Sequence, residues 1–457
     1  MELKIVIIGA GEVGFNLAKS LSREKYDITV IDIDSQKCSK VINNLDARVI
    51  EGDGASQRIL QEVEMRKVDF LLALTRIDEV NLVASRISKK MGAKHVICRL
   101  RNTEYLHKKA IITPEQFGIE FVTYPEKAAQ IEIENLVRRS STVEVQEFKD
   151  GEILMVGVNL ESSSPLIGRT IENIIISNPF TAHKTVLINR NDDFFIPTSK
   201  DIYKKDDHVY FIGRKDDIEN IQSMAGKPSF DVKNVMILGA GKIGRLLAKS
   251  LQNDYNVKII EKNKEKAKRT SANLSNSLML IGDGLDIEFL ESENISEVDC
   301  FVAATENEQT NMLAALLAKH YGAKQVILHI TTTNYLKSVR RIGADAIVSK
   351  NISAVNEVLN VIRSNEDNVE IHRFDDVGVE AIDVIVDKNS NYLLDNMKMG
   401  DIPSKFSVSA IIRNSNIIIP NYMTNIKAED ELLIFTKPED AQSAENLFVD
   451  RWYQKQY

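Results

Sequence analysis

The chain of 457 residues has few cysteines, no long apolar run and no excess of positive charge. Cys38, Cys98 and Cys300 are odd in number and scattered, without a Cys-x-x-Cys spacing for metal or redox chemistry, so we predict that each fills a hydrophobic core. No apolar run approaches the ~20 residues that span a bilayer. A formal net charge of -8 argues against a nucleic-acid partner, whose phosphates require clustered lysine and arginine. These absences predict a globular protein that is cytoplasmic or peripheral to a membrane.

Sequence motifs of catalysis and metal binding are absent as well. The sequence has no His-Glu-x-x-His, no Gly-x-Ser-x-Gly and no Walker lysine motif, and its seven histidines are dispersed. We therefore predict neither catalytic residues nor a metal site.

A repeat is the main positive feature of the sequence. Three glycines, one aspartate and one threonine return at a constant distance of 230 positions. The pairs are Gly9 and Gly239, Gly11 and Gly241, Gly14 and Gly244, Asp53 and Asp283, and Thr75 and Thr305. A second repeat, 223 positions apart, relates Arg190, Pro197 and Asp207 to Arg413, Pro420 and Asp430. Chance rarely reproduces so many fixed offsets, so the chain is predicted to carry two copies of one unit.

Short runs rich in valine, isoleucine and leucine alternate with helical stretches in each copy. In the first copy the predicted strands are residues 3–8, 28–32, 47–50, 69–74 and 95–99, and the predicted helices are residues 13–23, 35–43, 56–63 and 79–91. Near-continuous apolar strands separated by helices indicate a parallel sheet covered on both faces. The predicted fold class is α/β, with two Rossmann-like doubly wound parallel-sheet domains, each followed by a small α+β lobe.

The predicted boundaries follow from the same pattern. We call residues 1–124 and 232–348 nucleotide modules 1 and 2, and residues 150–224 and 369–457 lobes 1 and 2. Amphipathic connecting helices at 125–149 and 349–368 are predicted to lead out of each module.

The glycine loop of module 1 has the context of a dinucleotide-binding turn, because it follows a predicted strand and opens a helix. Its residues are Gly9, Ala10, Gly11, Glu12, Val13 and Gly14. The first glycine makes the tight turn, the second lets a pyrophosphate approach the backbone, and the third lets the helix pack closely on the strand. Amide donors and the dipole of the helix N-terminus favour an anion there. We predict that this loop binds nucleotide phosphates.

Asp32 ends the next predicted strand, 18 residues beyond Gly14, where a carboxylate accepts hydrogen bonds from both ribose hydroxyls. The charge would repel a 2'-phosphate by up to about 4 kcal/mol at ~4 Å and an effective dielectric constant of about 20. NAD or an adenine nucleotide is therefore favoured over NADP. The alternative is that Asp32 only caps the helix at 35–43.

Further polar residues follow the later strands. Gly52 and Asp53 come after the third strand, where Asp53 either contacts the adenine edge or caps the following helix. Thr75 and Arg99 close the fourth and fifth strands, at the carboxyl edge where this fold class binds ligands. The guanidinium of Arg99 suits phosphate oxygens, and its alternative is a surface salt bridge.

Module 2 repeats this set with two changes. Its candidate residues are Gly239, Ala240, Gly241, Lys242, Ile243, Gly244, Glu261, Asp283 and Thr305. Glu261 takes the place of Asp32, and His329 takes the place of Arg99. A histidine is mostly uncharged at neutral pH and forms no bidentate fork, so the second site is predicted to bind phosphate more weakly, to prefer another nucleotide or to be empty.

In this order of modules the chain resembles the tandem RCK family, the peripheral subunits of bacterial Trk potassium-uptake systems. The resemblance rests on both glycine loops, on the polar residues that follow the strands, and on residues 165–168, Arg190, Pro197 and Asp207 of lobe 1. It covers nearly the whole chain.

The resemblance implies a regulatory protein that is not an enzyme. It implies NAD(H), and possibly ATP or ADP, as the bound nucleotide, and a homotetrameric ring of eight RCK units on the inner face of the cell membrane. The implied partner is an integral membrane potassium channel or transporter subunit of the TrkH/TrkG type. Two alternatives stay open: an NAD-dependent oxidoreductase with a duplicated cofactor domain, and a scaffold whose nucleotide sites have decayed.

Overall fold

The computed structural model describes residues 3–22, 26–107, 109–138, 144–191, 193–228, 230–332, 343–363, 371–374 and 378–449. The chain forms two compact units. Unit 1 comprises Met1–Asn135 with Lys233–Asn365, and unit 2 comprises Leu136–Val232 with Glu366–Tyr457. Unit 1 therefore holds both nucleotide modules, and unit 2 holds both lobes.

Module 1 is a parallel sheet with helices between its strands. Its elements and the connecting helix are β1 (Lys4–Ile8), α1 (Glu12–Leu21), β2 (Asp27–Asp32), α2 (Ser35–Asn44), β3 (Arg48–Glu51), α3 (Gln57–Gln61), β4 (Phe70–Ala73), α4 (Asp78–Met91), β5 (His95–Arg99), β6 (Phe121–Thr123) and α5 (Pro125–Arg138). The strand order is β3-β2-β1-β4-β5-β6, and every pair is parallel. The chain reverses direction across the sheet beside β1, which places the carboxyl ends of β1 and β4 next to each other.

Lobe 1 is an antiparallel sheet with two helices. It consists of β7 (Glu144–Phe148), β8 (Ile153–Asn159), α6 (Ile171–Ser177), β9 (His183–Arg190), β10 (Asp193–Phe195), β11 (His208–Arg214) and α7 (Ile218–Met224). The strand order is β10-β9-β11-β8-β7.

Module 2 repeats the topology of module 1. Its elements are β12 (Asn234–Leu238), α8 (Lys242–Leu251), β13 (Asn256–Glu261), α9 (Lys264–Ser271), β14 (Ser277–Ile281), α10 (Ile287–Ser292), β15 (Cys300–Ala303), α11 (Glu308–His320), β16 (Gln325–Ile330), β17 (Ala346–Ser349) and α12 (Lys350–Arg363). The order β14-β13-β12-β15-β16-β17 matches that of the first sheet strand for strand.

Lobe 2 repeats lobe 1. Its described elements are β18 (Ile371–Phe374), β19 (Val379–Ile385), α13 (Asn391–Leu394), β20 (Phe406–Arg413), β21 (Asn416–Ile418), β22 (Glu431–Thr436) and α14 (Ala441–Phe448), with strand order β18-β19-β22-β20-β21. The predicted fold class of two Rossmann-like domains with small α+β lobes is confirmed.

The sequence predicts that the connecting helix α12 leads out of module 2. In the structure this helix packs on module 1. Ala354, Val355, Val358, Leu359 and Ile362 lie on one helical face and join the core that β1, α1 and β2 of module 1 form. Burial of a full apolar side chain contributes about 1.5–3 kcal/mol, so the pairing of the two modules is strongly stabilised. Helix α5, which follows module 1, in turn contacts module 2. The Ser250 hydroxyl of α8 donates a hydrogen bond to the Glu134 carboxylate of α5.

The two lobes also share a core within unit 2. Phe148, Met155 and Tyr210 of lobe 1 pack in one cluster with Leu433 and Phe435 of lobe 2. A charged contact accompanies this core: the Lys149 ammonium lies 3.2 Å from an Asp383 oxygen and 2.6 Å from a Glu431 oxygen.

The repeated arginine and aspartate of the lobes form ion pairs in which the aspartate is buried and the arginine is partly exposed. Arg190 donates from Nε and Nη2 to the two carboxylate oxygens of Asp207 at 2.8 and 2.7 Å. Arg413 and Asp430 repeat this bidentate geometry at 2.7 and 2.7 Å. The constant offset of these residues thus reflects one structural pair present in both lobes.

All three cysteines are buried and free, in agreement with the prediction that they fill cores. Among the residues described, no helix has the length and the apolar character needed to cross a membrane, and no group of three or more histidine, cysteine, aspartate or glutamate side chains is placed to hold a metal.

Candidate nucleotide-binding sites

The glycine loop of module 1 connects β1 to α1, and its three glycines differ in what surrounds them. Gly9 has a φ of +105° and lies so close to Thr75 that an added Cβ would be 3.0 Å from the Thr75 nitrogen. A Cβ on Gly14 would lie 1.8 Å from the carbonyl oxygen of Gly9, so the first turn of α1 packs directly on the loop. A Cβ on Gly11 would meet nothing within 4 Å. Gly11 therefore leaves open space above the N-terminus of α1, where a phosphate could approach the backbone.

Asp32 holds the glycine loop from the end of β2. Its Oδ2 accepts a hydrogen bond from the Ala10 amide at 2.6 Å, and its Oδ1 accepts one from the Asp34 amide at 2.9 Å. Asp34, not Asp32, caps α2, because Asp34 accepts from the amides of Gln36 and Lys37. The capping alternative for Asp32 is therefore wrong. Each carboxylate oxygen keeps a further lone pair for a ligand, and ribose binding by Asp32 stays a prediction.

Asp53 lies in the turn after β3. Its Oδ1 accepts from the Ala55 amide at 2.9 Å, and the N-cap position of α3 is occupied by Ser56, whose side chain makes no capping hydrogen bond. The side chain of Ile33, which follows Asp32 at the same edge, is 72% exposed. The apolar side chain of Ile33 and the carboxylate of Asp53 thus lie at the edge of the sheet where an adenine is predicted to bind.

Thr75 is fixed by Asn81, a residue that the sequence did not single out. The Asn81 amide oxygen accepts from the Thr75 amide at 2.9 Å, and its nitrogen donates to the carbonyls of Thr75 at 3.1 Å and Arg99 at 2.9 Å. Asn81 is fully buried and ties the carboxyl end of β4 to that of β5. Asn311 makes the same bonds to Thr305 and His329 in module 2. The signal that could have found this residue is its own recurrence 230 positions later.

Arg99 is a partly buried cation at the end of β5. Its Nε has no hydrogen-bond partner, and within the described part of the chain its guanidinium forms no ion pair. Burial lowers the pKa of Arg99, and the charge of nearby Glu126 opposes that shift. The surface salt-bridge alternative is therefore wrong, and the unpartnered guanidinium is available to an anion.

In module 2 the loop is built in the same way. Glu261 accepts from the amides of Ala240 at 3.1 Å and Asn263 at 2.9 Å, and Lys266 lies 3.0 Å from its Oε2. Burial acts to raise the pKa of Glu261, but the Asn263 amide and Lys266 outweigh it and the pKa is lowered. A Cβ on Gly244 would lie 2.0 Å from the oxygen of Gly239.

The second site differs in its charges. Lys262 stands where module 1 has Ile33, and its ammonium is 2.7 Å from an Asp283 oxygen, so an ion pair crosses the edge where an adenine is predicted. His329 is 4% exposed, and burial lowers its pKa to about 3. The imidazole is therefore neutral at physiological pH, so position 329 does not supply the positive charge that Arg99 supplies in module 1.

Two sheets with the Rossmann order, two glycine loops and two antiparallel lobes define a tandem protein of the Rossmann class. The family model for the TrkA-N domain matches residues 5–125 and 235–350, and the model for the TrkA-C domain matches residues 155–226 and 382–449. The chain therefore belongs to the TrkA family.

Curated relatives cover nearly the whole chain. The Trk system potassium uptake protein TrkA of Halomonas elongata is 30% identical over 95% of this chain and 95% of its own length. The TrkA homolog 1 of Methanosarcina mazei is 30% identical over 98% of this chain and 100% of its own length.

Solved structures support the fold. The crystal structure of the GsuK RCK domain covers 98% of this chain and 95% of that chain, with a TM-score of 0.58 and 16% identity. The GsuK channel bound to NAD covers 98% of this chain and 79% of that chain, with a TM-score of 0.58 and 15% identity. At this identity the likeness shows the fold alone.

Proposed function

We propose that this protein is the nucleotide-binding regulatory subunit of a potassium-uptake system, and that it is not an enzyme. Its membrane partner is an integral potassium channel or transporter subunit of the TrkH/TrkG type, on whose cytoplasmic face four copies of the chain form a ring. The bound ligand is NAD(H) or ATP/ADP.

The observation that carries this proposal is the construction of the first site. An open space above the N-terminus of α1, the buried carboxylate of Asp32 and the unpartnered guanidinium of Arg99 converge on the carboxyl edge of one sheet. Curated relatives named Trk system potassium uptake protein support the role, and the GsuK channel bound to NAD supports the ligand class.

Regulation requires that the nucleotide bind two shapes of the ring with unequal affinity, because a ligand with equal affinity for both shifts no equilibrium. Coupling between two sites is typically about 1–3 kcal/mol, and several sites in a ring add to a larger bias.

The experiment is potassium flux through the membrane partner in proteoliposomes, with the protein added and ATP, ADP, NAD or NADH supplied in turn. We expect at least one nucleotide to change the flux and NADH not to be consumed. Unchanged flux with all four would contradict the regulatory role, and loss of NADH absorbance would favour an oxidoreductase.

Binding should depend on the first site more than on the second. A hydrogen bond to a charged group contributes about 1.5–3 kcal/mol, so Asp32→Ala and Arg99→Ala should each weaken nucleotide binding by about 10- to 100-fold in calorimetry. Glu261→Ala is the matched control, because it removes the same type of loop contact in module 2. If Glu261→Ala abolished binding and Asp32→Ala did not, the ranking of the two sites would be reversed.

A further inference from the structure

A cavity of about 200 Å³ lies within module 2, at the carboxyl ends of β12, β13, β14 and β15. Its lining includes Gly239 of the glycine loop, Glu261 at the end of β13, and the apolar side chains of Leu238 and Ile260. The adenosine half of a dinucleotide lies at this edge of a Rossmann sheet. Module 2 therefore keeps a concave space for an adenosine, although the charged residues around that space differ from those of module 1.

Two lysines line this cavity together with Glu261. Lys266 of α9 lies 3.0 Å from Glu261 Oε2, and Lys262, which directly follows Glu261, lies 2.7 Å from an Asp283 oxygen. The hydrogen bond that Lys262 donates to Asp283 raises the pKa of Lys262, so its ammonium stays charged at neutral pH. Both ammonium groups thus border the space in which the ribose is predicted to lie.

The ribose edge of module 1 is more negative than that of module 2. The five residues of module 1 are Asp32, Ile33, Asp34, Lys37 and Asp53, and their counterparts in module 2 are Glu261, Lys262, Asn263, Lys266 and Asp283. Three carboxylates and one lysine give module 1 a formal charge of -2 there, whereas two carboxylates and two lysines give module 2 a charge of zero. Since His329 is neutral where module 1 has Arg99, positive charge in module 2 lies after the second strand and not at the end of the fifth.

We propose that module 2 binds an adenine dinucleotide that carries a phosphate on the ribose 2'-oxygen, the chemistry of NADP(H), and that module 1 prefers the ligand without this phosphate. This specificity rests on the proposed function, because the glycine loop of module 2 must first bind a nucleotide. One chain would then respond to both the phosphorylated and the unphosphorylated dinucleotide.

Lys262 is the residue that determines this specificity. In the Rossmann fold a cation beside the ribose accommodates a 2'-phosphate, and a lysine ammonium binds phosphate as a point charge. The side chain of Lys262 is 78% exposed and that of Asp283 is 39% exposed. Because an exposed ion pair contributes little to stability, Lys262 can turn from Asp283 to a phosphate at small cost.

The carboxylate of Glu261 is compensated, unlike that of Asp32. Glu261 accepts from the amides of Ala240 and Asn263, and Lys266 balances its charge. In module 1 the ammonium of Lys37 lies 3.8 Å from Asp32 and 3.4 Å from Asp34, so one cation is shared by two carboxylates. A 2'-phosphate would therefore meet a neutral set of side chains in module 2 and an excess of negative charge in module 1.

The test is calorimetry on the full chain with NADP and NAD, comparing the natural protein with Lys262→Ile, which places the residue of module 1 in module 2. Lys262 is exposed, so the fold should persist. We expect one NADP to bind per chain after the first site is saturated with NAD. The affinity for NADP should fall roughly tenfold or more in the variant, because a contact with a charged group is lost, and NAD binding by module 1 should be unchanged.

Lys264→Ile is the matched control, because Lys264 is an exposed lysine at the start of α9 that does not line the cavity. It should leave the affinity for NADP unchanged. Gly241→Ala should weaken NADP binding and retain NAD binding, and Gly11→Ala should do the reverse, since each methyl fills the space above one helix N-terminus. A Cβ on Gly241 meets only the Ala304 oxygen at 3.8 Å, so the variant should fold.

Absence of NADP binding would overturn the proposal, and NAD binding retained in the same protein would leave the nucleotide site of module 1 intact. Equal NADP affinity in the natural protein and Lys262→Ile would also overturn it, as would NADP binding that is lost in Gly11→Ala and retained in Gly241→Ala. NADP binding that depends on Lys262, in a protein that binds none of NAD, ATP and ADP, would support the proposal for module 2 and contradict the nucleotide site proposed for module 1.

Discussion

Replacing Arg190 with alanine should lower the free energy of unfolding of unit 2 by about 3–5 kcal/mol, because the change leaves a buried carboxylate without its counter-ion. The side chain of Asp207 is 0% exposed, and both of its oxygens accept from Arg190. Arg190 also donates to the Ile202 carbonyl at 2.8 Å, so its removal loosens the turn before β11.

The measurement is hydrogen exchange of the amides in β9 and β11, which reports local stability without assuming that the whole chain unfolds in one step. Arg214→Ala is the control, since Arg214 is 52% exposed and pairs with Asp217 only three residues away. The control should lower stability by less than about 1 kcal/mol. Equal loss of protection in the two variants would show that burial of Asp207 does not set the strength of the pair.

Alanine at Gly14 should lower stability strongly, whereas alanine at Gly11 should hardly change it, although both substitutions change the same loop. The Gly14→Ala methyl would lie 1.8 Å from the Gly9 oxygen, so α1 must move off the loop. Overpacking typically costs about 1–3 kcal/mol, and a clash with backbone belongs at the upper end or beyond. The Gly11→Ala methyl meets nothing within 4 Å, and the φ of -67° suits any residue, so stability should change by less than about 1 kcal/mol.

Nucleotide binding should weaken in both variants for different reasons, and in Gly14→Ala the reason is that α1 moves off the glycine loop. In Gly11→Ala the methyl fills the space above the N-terminus of α1 that a phosphate needs, so affinity should fall at least tenfold while the melting temperature is retained. Gly241→Ala, the same change in module 2, is the matched control and should leave the first site intact. Thermal denaturation and calorimetry on the three variants check this, and full affinity in Gly11→Ala would place the phosphates elsewhere.

Much of the secondary structure of each module could be predicted from the local pattern of apolar residues. Runs rich in valine, isoleucine and leucine predicted five strands of module 1 to within one residue at each end, because parallel strands buried on both faces need continuous apolar sequence. The strand β6 was missed because Phe121–Thr123 is only three residues long. The roles of Asp32 and Asp34 were separable only in three dimensions, since both acids precede the same helix.

Features that depend on distant residues could not be predicted. The recurrence of Asn81 as Asn311 marks the residue in the sequence, but its role in tying β4 to β5 shows only when the two strands are placed beside it. The packing of α12 on module 1 joins residues more than 100 positions apart, which no local periodicity records.

Helix α12 follows module 2 and packs on module 1, and this packing affects how far the residues of the two modules can differ. When two identical polypeptides complete each other's cores, every substitution appears twice, and the paired edges must keep the same charge. Here both partners lie on one polypeptide, so Glu12 and Lys242 can occupy equivalent positions with opposite sign. Because the two modules are joined in one chain, equivalent positions can carry different residues, and the edges of the two modules can take different functions.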